Sequence, residues 1–100
     1  MGVIRVVIES ESGQRKNEGV MLPSNVFPNP ADTRFCCLRF VDPYGDATFN
    51  RLQMPFVLAD LRRLKEELSD DSVIKTLDLV ETMAKECEDG IHLYMKFLGD

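Results

Sequence analysis

Residues 35–68 read FCCLRFVDPYGDATFNRLQMPFVLADLRRLKEEL, and the reading of this stretch decides the fold. Phe35 to Val41 is apolar, with a single charge at Arg39, and reads as a strand. Asp42-Pro43-Tyr44-Gly45 then carries turn chemistry. Pro43 fixes φ for the first central position of a type I turn, Asp42 can accept a hydrogen bond from the backbone ahead of it, and Gly45 suits the left-handed conformation that closes a bulged hairpin. Phe35–Val41 and Ala47–Asn50 are therefore expected to be antiparallel partners. Beyond them Pro55 sits where a first helical turn tolerates it, and Val57, Leu58, Leu61, Leu64 and Leu68 recur at helical spacing. The opposite face of that helix, Asp60, Arg62, Arg63, Glu66 and Glu67, is expected to be solvated.

On the N-terminal side, Val3 to Glu9 alternates as a half-buried strand, with Ile4, Val6 and Ile8 on one face and Val3, Arg5, Val7 and Glu9 on the other. Residues 10–34 are polar and proline-rich, and too long for an ordinary loop. They have room for a short strand near Val20 to Leu22, with Ser12-Gly13 or Glu18-Gly19 as its turn and Met21, Leu22, Val26 and Phe27 as anchors.

On the C-terminal side, Ser69-Asp70-Asp71-Ser72 offers cap oxygens and negative charge to a second helix. Its stripe is Val73, Leu77, Val80, Ala84 and Cys87, and Gly90 is its expected stop. Ile91 to Leu98 alternates again, Ile91, Leu93, Met95 and Phe97 against His92, Tyr94, Lys96 and Leu98.

The order is strand, long loop, hairpin, two helices, strand. It implies a single α+β domain with an antiparallel or mixed sheet of about four strands and a two-helix hairpin packed on one face. The expected core is Ile4, Val6, Ile8, Cys36, Leu38, Phe40, Phe49, both helix stripes, Ile91, Leu93, Met95 and Phe97.

A chain of 100 residues, 44% hydrophobic and 29% charged, has globular proportions and one domain's length. No apolar run approaches the roughly 20 residues of a membrane helix. MGVIRVVIES enters strand-like sequence without a signal peptide's apolar region, and three cysteines without metal spacing fit a reducing compartment, so a cytoplasmic location is expected. The net charge of −5 lies on the expected helices: residues 60–89 hold ten acidic and five basic side chains, and the rest of the chain seven of each. An acidic helical layer disfavours nucleic acid and suits a basic protein.

DPYGDATFNRLQ and the ending YMKFLGD resemble a group of small uncharacterised bacterial proteins that share a DPYGD-x-x-FN hairpin and an F(I/L)GD ending. The resemblance covers about a fifth of the chain. It implies a compact bacterial domain of this length and transfers no functional residue.

No catalytic, cofactor or metal site is assigned. Phosphate-cradling glycine loops, nucleophile elbows and CxxC pairs are missing from the sequence. Cys36 reads as a small core residue and Cys37 as a surface thiol. His92 is the only histidine, so an enzyme would rest on His92 with Cys37 or Asp42, the last of the readings. Asp42, Asp46 and Asp100 would form a carboxylate cluster only if the last strand flanks the hairpin, and turn chemistry explains Asp42 more simply.

The sheet face turned from the helices is the candidate site. Alternation assigns to it Arg5, Val7, Phe35, Arg39, His92, Tyr94 and Lys96, cations mixed with apolar groups, unless residues 10–34 fold across and cover them. The function expected is non-enzymatic protein–protein interaction, with another protein or as a homodimer, and immunity proteins share this size and acidity. The alternative is a small-ligand or anion-binding domain on the same face, using Arg5, Arg39, Tyr94 and Lys96.

Overall fold

The structure, a computed structural model, describes residues 2–99. Four strands form one antiparallel sheet: β1 (Val3–Ser10), β2 (Val20–Pro23), β3 (Asp46–Asn50) and β4 (Leu93–Leu98), in the spatial order β2-β1-β4-β3. Two helices, α1 (Met54–Glu67) and α2 (Asp71–Asp89), cover one face. The fold is the α+β sheet with a helical pair that the sequence implies.

Register assigns the faces. Val6 pairs with Val20 and Phe97, Ile8 with Met95, and Phe49 with Met95, so these side chains share the helix-covered face. Ile4, Val6, Ile8, Leu22, Phe49, Met95 and Phe97 are all buried there against Val57, Leu61, Leu77, Val80 and Ala84. Phe97 takes Phe49 and Phe27 edge-on, with ring centroids 5.7 and 5.8 Å away.

The helices begin and end as their sequences dictate. Asn50 Oδ1 accepts the Leu52 N–H while Gln53 Oε1 accepts the Asn50 N–H, a reciprocal cap closed by the short 3-10 turn Arg51–Gln53. Pro55 lies in the first turn of α1. Asp70 caps α2 by accepting from Ser72 and Val73, and the Ser72 hydroxyl bond leads the causes that hold its carboxyl below the usual range. Between the helices, Lys65 bridges Asp78 at 2.8 Å and also pairs with Glu81.

The extra strand is β2. Its hairpin with β1 turns at Ser10–Gln14, where Gly13 takes φ 85°, and Gly19, at φ 84°, precedes the strand. Of the two glycine pairs offered as its turn, Ser12-Gly13 lies in it, and Glu18-Gly19 leads directly into β2.

Phe35–Val41 is not a strand. A 3-10 turn, Leu38–Phe40, occupies its middle, and the partner of β3 is β4. The cause is Asp60 of α1, whose carboxylate accepts the backbone N–H groups of Cys36 (3.1 Å), Cys37 (2.8 Å) and Leu38 (2.9 Å). Donors that a sheet neighbour would have used are gathered onto one side chain. Period-two alternation ends with the ladder: Phe35, Cys37, Leu38 and Val41 are buried, whereas Cys36 and Phe40, expected in the core, are exposed. Asp60 itself, expected to be solvated, is 4% exposed.

The Asp42–Gly45 turn does form, with Gly45 N–H donating to the Asp42 carbonyl (3.3 Å) and Tyr44 N–H to Asp42 Oδ1 (2.8 Å). It leads from the Asp60-held loop into β3, and Gly45 is not left-handed, since no bulged hairpin has to be closed. Gly99 docks on it, its N–H donating to the Gly45 carbonyl at 2.7 Å. A β-carbon on Gly99 would stand 2.5 Å from the Asp42 oxygen, so only glycine allows the two backbones so close.

Candidate functional site

The reverse face of the sheet is formed by Val3, Arg5, Val7 and Glu9 of β1, Met21 of β2, Tyr94, Lys96 and Leu98 of β4, and Asp46, Thr48 and Asn50 of β3. Four of the seven residues assigned to it from the sequence belong here. Arg5 pairs with Leu98 and Met21, Val7 with Lys96, and Tyr94 lies across from Glu9.

Val7 reaches the face but offers no surface to a partner, being fully buried. Gly19 packs on it, so that a β-carbon there would lie 2.8 Å from Val7 Cγ1. The early part of the 10–34 segment therefore covers the centre of β1, and the remainder of the reverse face stays open. Val3 is 43% and Met21 51% exposed.

The other three residues are elsewhere. Phe35 is a core residue of the Asp60-held loop, 1% exposed. Arg39 belongs to the same loop, where its guanidinium stacks over the Phe40 ring at 4.4 Å and donates to the Pro30 carbonyl at 2.9 Å. His92 precedes β4 instead of lying in it, at φ 57°, and its Nδ1 is 3.3 Å from Glu11 in the β1–β2 turn. A left-handed residue breaks the alternation ahead of Leu93, which also leaves Ile91, expected in the core, 77% exposed.

The electrostatics of the reverse face follow from β1. Glu9 is only 8% exposed, and its carboxylate meets Lys96 Nζ at 2.9 Å and Arg15 Nε at 3.8 Å. Arg15 is a cation that sequence reasoning did not place here; an isolated bridge to Glu9 draws it in. Among the described residues Arg5 has no carboxylate partner, and it makes a long 3.4 Å hydrogen bond to the Glu18 carbonyl. Arg5 and Arg15 border a shallow depression of about 190 Å³ whose other walls are Val3, Met21, Leu98 and Gly99. Two guanidiniums beside an apolar floor can recognise a carboxylate and an aliphatic side chain together.

The cysteines and carboxylates singled out from the sequence form no such site. Burial pushes the Cys37 thiol up to about 12 and that of Cys87 to about 11, the opposite of an activated nucleophile. Cys36, expected inside, is the exposed thiol. Among the described residues no three His, Cys, Asp or Glu side chains converge as metal ligands. Asp42 serves its turn, Asp46 begins β3, and Asp100 lies outside the described residues. Among the described residues no helix is long and apolar enough to cross a membrane.

The two segments that carry the resemblance are neighbours in space, since Asp46–Asn50 pairs along its length with Tyr94–Leu98 and Gly99 packs on the Asp42–Gly45 turn. Asp42, Gly45, Phe49, Asn50, Gln53 and Gly99 each have a structural task there. No protein-family model, curated protein or solved structure matches the chain.

Proposed function

We propose that this chain is a non-catalytic binding module whose reverse sheet face docks a segment of another protein carrying acidic and aliphatic side chains. The observation that carries the reading is the depression between Arg5 and Arg15. Val3, Met21 and Leu98 supply its apolar part, the central carboxylate of the face, Glu9, is held by Lys96, and no carboxylate among the described residues pairs with Arg5, which supports a role for it in meeting an incoming acid. An open depression that sets apolar side chains beside two guanidiniums suits a polypeptide better than a small anion, which needs convergent donors around it.

Selection of a peptide display library on the folded protein tests this. Enriched sequences should combine Asp or Glu with Val, Leu or Ile, and Arg5→Glu with Arg15→Glu should weaken their binding by about tenfold or more at low salt. Enrichment of basic peptides, or binding indifferent to both charge reversals, would overturn the proposal.

A second reading, docking of a basic protein on the helical layer, is favoured by the end of α2. Glu86, Glu88 and Asp89 crowd its negative dipole end, and the last turn contains no base. Salt-sensitive binding of an oligolysine peptide, lost in Glu86→Lys with Glu88→Lys, is the corresponding test.

A further inference from the structure

We infer that two copies of this chain associate through the outer edge of β3, joining their sheets into one of eight strands. The contact is distinct from the reverse face and stands or falls separately from the function proposed above.

The edge is open. β3 ends the sheet, and β4 is its strand neighbour. Its unused backbone groups can be assigned from two hydrogen bonds. The Gly45 carbonyl accepts from Gly99 at the β4 side, whereas the Asn50 N–H turns to Gln53 Oε1. Residues of an antiparallel strand alternate between facing the partner and facing away. Ala47 and Phe49 therefore bond to β4, and Asp46 and Thr48 present N–H and C=O outward, as Asn50 presents its C=O.

Edge strands are ordinarily blunted with lysine, proline or a bulge. The β3 edge, Asp-Ala-Thr-Phe-Asn, has no lysine, proline or bulge, and its one charge, Asp46, stands at the end of the five-residue strand. The other edge, β2, ends in Pro23 and packs against α2.

The edge is also self-complementary. A twofold axis at Thr48 sets Thr48 against itself, Asp46 against Asn50 and Ala47 against Phe49, and brings Asp46 diagonally near Arg51 of the other copy. Two of the most exposed large apolar side chains among the described residues flank this strand in sequence: Tyr44 at 85% before it and Leu52 at 73% after it. The same axis carries the Tyr44 end of one copy to the Leu52 end of the other, since each stands four residues from Thr48. Apolar groups left in water by the single chain are thereby matched, and opposite charges meet while like charges are kept apart.

Light scattering across micromolar to millimolar concentration tests the inference. The wild-type mass should rise to twice 11.4 kDa, and Thr48→Pro, whose lost N–H points outward and is tolerated at an edge, should halve it with an unchanged circular dichroism spectrum. Leu52→Asp, at an exposed position, should do the same should Thr48→Pro fold poorly. In hydrogen exchange the Thr48 amide should be protected in the dimer and exchange about tenfold faster or more in Leu52→Asp. A wild type that is monomeric at every concentration overturns the inference. So does a dimer that survives Thr48→Pro and dissociates in Met21→Glu, which would move the contact to the reverse face.

Discussion

Residues 35–41 and 46–50 stand on either side of one turn, and although the first, FCCLRFV, is the more apolar and the second, DATFN, is mostly polar, only the second is a strand. The first lies beside α1, where the Asp60 carboxylate takes three successive backbone N–H groups. The second lies beside β4, which pairs with it residue for residue from Asp46 to Asn50 and takes the backbone groups of its alternate residues. A segment becomes a strand when a ladder satisfies its backbone. Where one buried side chain satisfies it first, the same side chains settle around a turn.

The strongest way to break this comparison is to remove the carboxylate. Asp60→Ala strands three donors, two of them buried, and should cost about 3–5 kcal/mol in a urea melt, a large part of the stability of a domain this size. Wild-type stability in that variant would mean that the loop does not depend on Asp60. On the strand side, Gly99→Ala forces a methyl group against the Asp42–Pro43 backbone and should cost about 1–3 kcal/mol, read in the same experiment. Asn50→Ala removes the cap of the 3-10 turn that leads from β3 into α1, for about 1 kcal/mol, and its effect should appear in thermal unfolding.

The smallest energetic effect sharpens the comparison most. With a turn at Leu38–Phe40, native protein should titrate one fast thiol, Cys36, with Cys37 and Cys87 reacting only after unfolding; a strand would have exposed Cys37 instead. The pH dependence has the same origin. Desolvation raises both buried thiols above their ordinary 9.0, so the unfolded chain releases these protons first and stability should fall as pH rises above 9, toward 11 and 12. Cys37→Ala should flatten part of that decline.

Much of the sheet and both helices were legible in the residues. Val3–Glu9 alternates, Asn50 and Gln53 announce a cap, and the leucines of α1 keep their stripe. Asp60 had a signal too: it falls between Val57, Leu61 and Leu64, on the buried stripe itself, where a carboxylate requires partners. The candidate site was legible in part. Arg5, Tyr94 and Lys96 come together because β1 and β4 are adjacent with their alternation intact. Phe35 and Arg39 depart with the lost strand, and His92 departs because its left-handed backbone lies outside the ladder. Arg15 joins the site through a bridge to Glu9 that local sequence does not encode.

The sequence alone determined which segments have a buried side and where helices begin and end, because side-chain periodicity and caps act within a few residues. Tertiary structure decided the placement of β4 between β1 and β3, the fate of residues 35–41 and the openness of the β3 edge. Each of those depends on which distant group reaches a backbone donor or acceptor first, and that competition is settled only when the chain has packed.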